Sequence, residues 1–318
     1  MTQSWKSGRV VSVGECMVEL AREPDGRFGL AYGGDTFNTA VYLARAGVSV
    51  AYATALGDDP YSQGIADLAG RESVGTDLMT KLTGRMPGLY LIEISKEGER
   101  SFWYWRDRAA ARDVFECSGT ERVVHGIENA AVVYFSGVTL SLYTERGLDL
   151  FAEALKSAKS NGARVVMDSN YRPRGWGGDL DRARRTFERF WQLSDVALPT
   201  LDDEQALWGD EDVEAVCKRL GELGVPEIAV KSGAEGAYVE AEANWVPCPE
   251  RIDPVDTTAA GDSFNAGYVA VRSAGGSPTD AAHFGHRLAA VVIQHRGAIV
   301  PQQATAAVIG DWQASRRQ

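Results

Sequence analysis

The chain has 318 residues, with 33 lysines and arginines against 44 aspartates and glutamates and a formal net charge of −11. This acidic balance argues against a general nucleic-acid or membrane-surface binder, because those surfaces are anionic. Hydrophobic residues make up 44% and charged residues 24% of the chain, which excludes disordered, collagen-like and coiled-coil classes and is typical of a globular protein with a sizeable core.

The cysteine pattern and the first residues predict a cytoplasmic protein. Four scattered cysteines form no CxxC pair, a pattern typical of a reducing compartment rather than of a disulfide framework or a zinc site; they are Cys16, Cys117, Cys217 and Cys248. Residues 1–9 are polar and lack the apolar region of a signal peptide. No apolar run approaches the length of a membrane-spanning helix.

The first third of the chain alternates predicted strands with predicted helices. A buried strand over residues 9–14 runs into a glycine turn, and helical apolar spacing follows from residue 35 or 36 to Ala46. Gly47 occupies the position that typically closes a helix. A strand over 48–56 and a helix over 60–72 come next. Such alternation is typical of a parallel sheet covered by helices on both faces.

Two aromatic-rich runs then interrupt the alternation. Residues 88–94 and 100–106 each alternate between two faces, which predicts a β-hairpin. Residues 28–32, set between glycines, are expected to add another strand. We predict a small separate sheet, or lid, formed by insertions near 17–34 and 86–108.

The α/β alternation resumes in the second half of the chain. Predicted strands cover residues 131–135, 163–168, 195–199 and 227–231, with a hairpin over 236–246. Predicted helices cover 144–161, 181–192, 213–223, 261–274 and 279–294. A further helix is predicted to begin at Thr200, where the sequence has a capping-box-like pattern. With no repeat or linker visible, residues 1–318 are predicted to form one α/β domain with a mostly parallel central sheet.

Residues 256–267, with the sequence DTTAAGDSFNAG, carry the strongest functional signal. The small residues Ala259, Ala260 and Gly261 leave backbone N–H groups accessible at a predicted helix start, where the helix dipole favours an anion. Asp262 follows directly, so its carboxylate lies near that anion. The arrangement suits a phosphoryl group in transfer, with the carboxylate accepting the proton of the attacking hydroxyl. The alternative interpretation is an ordinary helix-stabilising aspartate.

This segment resembles the second signature of the ribokinase-like, or phosphofructokinase-B, carbohydrate kinases, usually read as DTxGAGD. The resemblance extends over nearly the whole chain through GGDTFN at 33–38, DSNYR at 168–172, KSGAEG at 231–236 and RGA at 296–298. Neither a GxxxxGK[ST] nor a GxGxxG motif occurs, so other phosphate-binding designs lack support. The resemblance implies a three-layer α/β/α sandwich with a small β-sheet lid and an ATP-dependent sugar kinase.

The resemblance also implies roles for individual residues. Asp262 would be the general base, and the backbone N–H groups of Ala259, Ala260, Gly261 and Asp262 would form the anion hole. The implied nucleotide-binding residues are Ser232, Gly233, Gly236, Thr257, Gly261 and Ala289. For Ala289, plain core packing is an equally good interpretation.

Two positions depart from the family pattern. Ala259 replaces the usual first glycine of the anion hole, which matters only if this residue adopts a positive φ. The family's Asn-x-x-Glu motif, which helps to organise Mg²⁺, aligns with Thr200–Asp203, where a shorter carboxylate and no amide stand. Mg²⁺ is expected because ATP brings it. Its protein ligands are left open, with Asp203 as an indirect candidate.

Sugar recognition is predicted in the first third of the chain and around Arg172. The predicted substrate-binding residues are Gly34, Asp35, Asn38, Tyr90, Tyr104, Arg106, Asn170, Arg172 and Asp262. Arg106 and Arg172 are the most informative, because a guanidinium binds a carboxylate bidentately and a neutral sugar does not need two of them. We therefore expect an acid sugar.

Local segments are most similar to the family members that phosphorylate 2-keto-3-deoxygluconate to its 6-phosphate; these are GECMVEL at 14–20, YGGDTFN at 32–38, GLY at 88–90 and WR at 105–106. Fructokinase, ribokinase and 2-keto-3-deoxygalactonate kinase activities are the alternatives, followed by a non-catalytic sugar- or nucleotide-binding regulator. Trp103 and Trp105, on the other face of the hairpin, predict a homodimer or higher homo-oligomer formed through the lid.

Overall fold

The computed structural model describes residues 5–22, 25–94, 100–249 and 252–316, which contain two β-sheets. In chain order the strands are β1 (Val10–Val13), β2 (Met17–Arg22), β3 (Phe28–Gly33), β4 (Val50–Leu56), β5 (Met79–Lys81), β6 (Leu89–Ile94), β7 (Arg100–Trp105), β8 (Val132–Ser136), β9 (Arg164–Asp168), β10 (Val196–Ala197), β11 (Glu227–Ser232), β12 (Gly236–Val239) and β13 (Asn244–Val246). The α-helices are α1 (Asp35–Arg45), α2 (Pro60–Arg71), α3 (Thr120–Glu128), α4 (Gly137–Leu142), α5 (Glu145–Ser160), α6 (Leu180–Trp191), α7 (Leu201–Trp208), α8 (Val213–Glu222), α9 (Ala260–Ser273), α10 (Pro278–Val292) and α11 (Gln302–Ser315).

The larger sheet has the strand order β13-β12-β11-β10-β9-β8-β1-β4-β5. The strands from β11 to β5 run parallel, whereas β12 and β13 continue the sheet as an antiparallel hairpin. All seven residues of β4 are buried, as expected for a strand covered on both faces.

Two apolar cores lie on opposite faces of this sheet. Successive residues of β1 alternate between them, because neighbouring side chains of a strand point to opposite faces. Val10 lies in the core that contains Phe37 of α1 and Phe264 of α9, whereas Val11 lies in the core that contains Phe151 of α5 and Phe187 of α6. The result is the predicted helix–sheet–helix layering.

The smaller sheet has the strand order β3-β2-β6-β7, with β2 antiparallel to β3, parallel to β6, and β6 antiparallel to β7. Its register gives the two faces different chemistry. One row aligns Tyr104, Tyr90 and Glu19, and the next row, on the other face, aligns Trp103, Leu91, Leu20 and Leu30. The turn predicted over residues 95–99 lies outside the described residues.

Most predicted elements are present, with three differences. The strand predicted over 195–199 spans only Val196–Ala197. Thr200 does precede α7, but its side chain makes no capping hydrogen bond. Five elements were not predicted as strands or helices: β5, α3, α4, α11 and β2, although β2 lies within the lid insertion predicted near 17–34. The buried residues of helix α11, Thr305, Val308, Ile309 and Trp312, do have helical spacing, but the sequence signal is weak because Thr305 is polar and the alanines at 306 and 307 are exposed.

Within the described ranges, every helix is too short or too polar to cross a membrane.

Candidate active site

The carboxyl ends of the parallel strands meet the first turns of α1 and α9 at one edge of the larger sheet. Ser136 ends β8, Asp168 ends β9, and Lys231 stands one residue before the end of β11. In open α/β sheets this edge is where ligands typically bind. Here it collects carboxylates, amides and one ammonium group contributed by distant parts of the chain.

Asp262 lies in the first turn of α9 and contacts α1. Its Oδ2 accepts a hydrogen bond from Asn38 Nδ2 at 2.8 Å, and its backbone oxygen accepts one from Thr39 Oγ1 at 3.1 Å. Burial, followed by the negative charge of Asp35, raises the pKa of Asp262 to about 8. A carboxylate whose pKa lies near neutral pH is suited to accept a proton during a reaction.

The start of α9 supplies backbone donors beside this carboxylate. Gly261 and Asp262 belong to the first helical turn, whose N–H groups have no acceptor within the helix. The prediction for Ala260 needs correction, because its N–H donates to the Thr257 carbonyl at 3.2 Å. The amides suited to an anion are therefore those of Gly261 and Asp262.

Ala259 adopts the left-handed conformation, with φ of 62° and ψ of 17° at the position that precedes the helix. The replacement of the family's usual glycine by Ala259 therefore matters, because this position does adopt a positive φ. An L-residue with a Cβ in this conformation costs roughly 1–2 kcal/mol relative to a right-handed one. The strain lies directly at the candidate phosphate site.

Asp256 fixes the loop that leads to α9. Its Oδ1 accepts from the Thr258 N–H at 2.8 Å, and its Oδ2 accepts from the Gly297 N–H at 2.9 Å. The carboxylate therefore joins this loop to the turn after α10. Thr257, which lies between Asp256 and Thr258, is exposed.

Asp35 and Asn170, both predicted to bind sugar, contact each other. Asn170 Nδ2 donates to Asp35 Oδ2 at 2.6 Å, and Ser136 Oγ donates to the same oxygen. Burial raises the pKa of Asp35. Gly34 allows the start of α1 to approach the loop between β1 and β2, because a Cβ there would lie 2.0 Å from the Glu15 carbonyl oxygen.

Three residues that sequence reasoning missed complete this side of the site. Lys231 Nζ lies 2.9 Å from Asp168 Oδ1 and 3.1 Å from Asn265 Oδ1, and Asn265 Nδ2 donates to Asp168 Oδ2 at 2.9 Å. The sequence does contain a signal for Lys231. This lysine directly follows the apolar residues IAV of a predicted strand, so it is expected to be buried.

The two arginines predicted to bind a carboxylate both have acidic partners in the chain. Arg106 forms an ion pair with Glu15, whose side chain is only 1% exposed. Arg172 Nη1 lies 2.9 Å from Asp203 Oδ1, while 58% of the Arg172 side chain remains exposed. Neither guanidinium is therefore free of a counter-charge.

Tyr104, in strand β7 of the lid, lies close to these arginines. Its ring centroid is 6.0 Å from that of Tyr90. Burial raises the pKa of the Tyr104 hydroxyl, and the charges of Arg106, Arg172 and Arg174 oppose that rise. Arg174, which sequence reasoning did not select, thus belongs to the same basic group. Tyr90 itself is buried and donates its hydroxyl proton to Glu19.

Three of the predicted nucleotide-binding residues, Ser232, Gly233 and Gly236, lie at the turn between β11 and β12, whereas Ala289 lies in α10. Gly233 and Gly236 have φ of 51° and 128°, and a Cβ on Gly236 would lie 2.2 Å from the Val246 carbonyl oxygen, so this turn requires glycine. Ser232 Oγ donates to the Glu235 carboxylate at 3.3 Å. Ala289 is half-buried and packs against the core, so its nucleotide role stays a prediction.

Asp203 is the candidate for an indirect metal contact. Besides its ion pair with Arg172, it accepts a long hydrogen bond from Ser169 Oγ at 3.4 Å, and burial raises its pKa. Across the described ranges, no three histidine, cysteine, aspartate or glutamate side chains are grouped as a ligand set.

Comparison with known proteins places this geometry in context. Residues 7–305 match the profile described as pfkB family carbohydrate kinase. The 2-dehydro-3-deoxygluconokinase of Escherichia coli (strain K12) is 41% identical over 307 residues, covering 94% of this chain and 99% of that protein. The protein of the same name from Haemophilus influenzae is 35% identical over 305 residues, covering 93% and 96%.

A solved structure of 2-dehydro-3-deoxygluconokinase from Thermotoga maritima superimposes with a TM-score of 0.81 at 22% identity, covering 97% of this chain and 100% of that one. A fructokinase from Xylella fastidiosa with bound ATP gives a TM-score of 0.79 at 21% identity, covering 98% and 99%. At these identities the similarity concerns the fold.

Proposed function

The chain belongs to the pfkB family of carbohydrate kinases, and from that premise we propose that it transfers the γ-phosphate of ATP to the 6-hydroxyl of 2-keto-3-deoxygluconate. The family membership and the ribokinase-like fold confirm the resemblance seen in the sequence, and they make this an ATP-dependent carbohydrate kinase. The identity of the sugar and the roles of single residues are our proposal.

The cluster of arginines around Tyr104 is the observation that supports an acid sugar as the substrate. Arg106, Arg172 and Arg174 all act on the Tyr104 hydroxyl, whereas two acidic partners, Glu15 and Asp203, are paired with them. Three guanidinium groups close to one tyrosine hydroxyl suit a sugar carboxylate, which arginine binds through charge-assisted hydrogen bonds. The names of the 35–41% identical relatives support the same substrate.

Asp262 is the proposed general base. It would accept the proton of the sugar hydroxyl as this oxygen attacks the γ-phosphate, while Asn38 holds the carboxylate in place through its 2.8 Å hydrogen bond. The N–H groups of Gly261 and Asp262 would bind the phosphoryl oxygens, where the helix dipole favours negative charge. Closure of the lid would exclude water from the reacting groups.

Mg²⁺ is proposed to enter with ATP and to neutralise phosphate charge when bound. The residues present fit an ion held mainly by phosphate oxygens and water, because Asp203 Oδ2 accepts a long hydrogen bond of 3.4 Å from Ser169 and can accept another from a water bound to the ion. Asp203 would therefore hold the ion through water.

A neutral ketose is the second candidate substrate. The ion pairs of Arg106 with Glu15 and of Arg172 with Asp203 favour it, because an arginine already neutralised by a carboxylate needs no acidic ligand. A fructokinase activity would follow from this pairing.

A coupled ADP-release assay over acidic and neutral sugars distinguishes these substrates. We expect the highest kcat/KM with 2-keto-3-deoxygluconate, a lower value with the galactonate-derived epimer, and far lower values with fructose and ribose. A higher kcat/KM with fructose or ribose would overturn the acid-sugar proposal and leave the kinase activity intact.

We also propose that two copies pair through the outer face of the lid. Trp103, Trp105 and Leu30 are 54%, 60% and 52% exposed on that face, and a contiguous apolar patch of this kind marks an interaction site. Light scattering should give the mass of a dimer or higher oligomer, and Trp103→Glu should give the mass of a monomer. A wild-type monomer at micromolar concentration would contradict this.

We place the reaction in the cytoplasm. All four cysteines are free, which is the usual state in a reducing compartment. Fractionation of the native cell, with the protein detected by antibody, tests this placement.

A further inference from the structure

Lys231 places an ammonium group among the carboxylates of the phosphate site. Its side chain is 8% exposed, and its Nζ lies 2.9 Å from Asp168 Oδ1. A Cβ built on Gly261 would lie 3.6 Å from the same nitrogen, so the ammonium lies against the first turn of α9. It is therefore next to both the candidate anion site and the candidate base.

Asn265 holds this ammonium in place. Its Oδ1 accepts from Lys231 Nζ at 3.1 Å, while its Nδ2 donates to Asp168 and, at 2.9 Å, to the Tyr134 hydroxyl. Asn265 lies three residues after Asp262 on α9, so both side chains project from the same face of the helix. The network thus fixes Lys231 relative to Asp262.

The charges that face Asp262 come from four packed elements. Helix α1 contributes Asp35 and Tyr42, β8 contributes Tyr134, β9 contributes Asp168, and β11 contributes Lys231. Burial raises the pKa of Tyr42 to about 12 and that of Tyr134 well above its usual range, so both phenols stay neutral. Against the carboxylates of this group, Lys231 is the positive charge that the described residues provide.

We propose that Lys231 is a positioning residue whose charge favours the ionised, proton-accepting form of Asp262, an inference that rests on the proposed role of Asp262 as the base. Burial and the neighbouring carboxylates both favour the protonated, inactive form of Asp262. The ammonium opposes them. Without it, Asp262 would share a buried site with Asp35 and Asp168 and lack the positive charge that offsets theirs.

The test compares the pH dependence of kcat/KM in wild type, Lys231→Met, Lys231→Arg and the surface control Lys156→Met, whose lysine is 55% exposed. For Lys231→Met we expect the acid limb to move up by about one pH unit or more, so that activity falls roughly tenfold at pH 7 and recovers at higher pH. Lys231→Arg keeps the charge and should keep the limb. The ionisation of ATP is common to all four proteins and cancels in the comparison.

A purely structural Lys231 gives a different result: Lys231→Met would then lose the same fraction of kcat/KM at every pH, which overturns the proposal. If Lys231→Met does not fold, Asp168→Asn provides the converse test, because it removes a negative charge and should move the limb down. The double variant Lys231→Met/Asp168→Asn removes both charges and should return the limb toward its wild-type position. A limb that stays fixed in Asp168→Asn contradicts the inference.

The experiments distinguish a failure of the proposed function from a failure of the inference about Lys231. If the wild-type protein prefers a neutral sugar, the acid-sugar proposal falls, and the same pH profiles measured with that sugar still test Lys231. If the wild-type protein produces ADP with none of the sugars, both proposals fall.

Discussion

Asn38 Nδ2 and Asp262 Oδ2 are 2.8 Å apart, although the two residues are 224 positions apart in the chain. The hydrogen bond joins the first turns of α1 and α9, so it links the predicted sugar-binding segment to the predicted phosphate site. A donor aimed at this oxygen favours the ionised carboxylate and fixes its direction.

Removal of this donor should impair the base. Asn38→Ala is expected to lower kcat/KM by roughly 10- to 100-fold at pH 7, because hydrogen bonds to charged groups contribute about 1.5–3 kcal/mol. The acid limb of the pH profile should also move up, since the lost bond stabilised the ionised form. Steady-state assays between pH 5 and pH 9 measure both effects. An unchanged limb with a lower kcat would mean that Asn38 acts on the sugar instead.

Asp262→Asn should abolish turnover and yet stabilise the fold. The pKa of Asp262 is raised to about 8, above the value near 4 of an unfolded chain, so the folded state binds more protons between about pH 4 and pH 8. Wild-type stability therefore decreases as pH rises through this window. Thermal melts should show a higher Tm for Asp262→Asn, with a larger gain at pH 8 than at pH 5.

The control for this change is Asp311→Asn, because the Asp311 side chain is 70% exposed. It should leave both turnover and the pH dependence of Tm close to wild type. An Asp262→Asn protein with wild-type turnover would refute Asp262 as the base, and a gain in Tm independent of pH would refute the raised pKa.

Ala259 and Ala260 provide a matched pair of glycine substitutions. Ala259 has a positive φ, so Ala259→Gly removes strain and should leave the free energy of unfolding unchanged or raise it by up to about 1 kcal/mol. Ala260 is helical, so Ala260→Gly should lower the free energy of unfolding by about 0.5–1 kcal/mol. Urea titrations measure both. Equal losses in the two variants would show that the left-handed backbone at Ala259 carries no strain.

Arg106 should affect stability and sugar affinity through separable effects. Arg106→Met leaves the 1%-exposed Glu15 without its counter-charge, so the free energy of unfolding should fall by about 3 kcal/mol or more. The double variant Glu15→Gln/Arg106→Met should regain most of this stability. Its KM for the acid sugar should stay raised and its KM for ATP should stay near wild type. Recovery of sugar affinity in the double variant would exclude Arg106 as a carboxylate ligand.

Local sequence patterns predicted the helices and strands whose conformation depends mainly on residues that are close together along the chain. The apolar spacing of 35–46 gave α1 nearly to the residue, and the alternation in 100–106 gave β7 with Tyr104 opposite to Trp103 and Trp105. The small residues before Asp262 likewise predicted a helix from residue 261, one residue after the observed start of α9 at Ala260.

Contacts between distant segments could not be read in this way. Lys231 meets Asp168 because β10 separates their strands by one position in the sheet, and strand order is a property of the whole fold. The pairing of Arg106 with Glu15 depends on how the lid returns to the loop after β1. The sequence predicts a free N–H at Ala260. In the structure this N–H has an acceptor, the Thr257 carbonyl, which comes within reach only through the turn at Ala259.

A crystal structure with a non-hydrolysable ATP analogue and the acid sugar tests the central claim most directly. The account predicts γ-phosphate oxygens within hydrogen-bonding distance of the Gly261 and Asp262 N–H groups, and the 6-hydroxyl of the sugar within hydrogen-bonding distance of the Asp262 carboxylate. A γ-phosphate bound away from residues 259–262, or a sugar hydroxyl that does not reach Asp262, would contradict it.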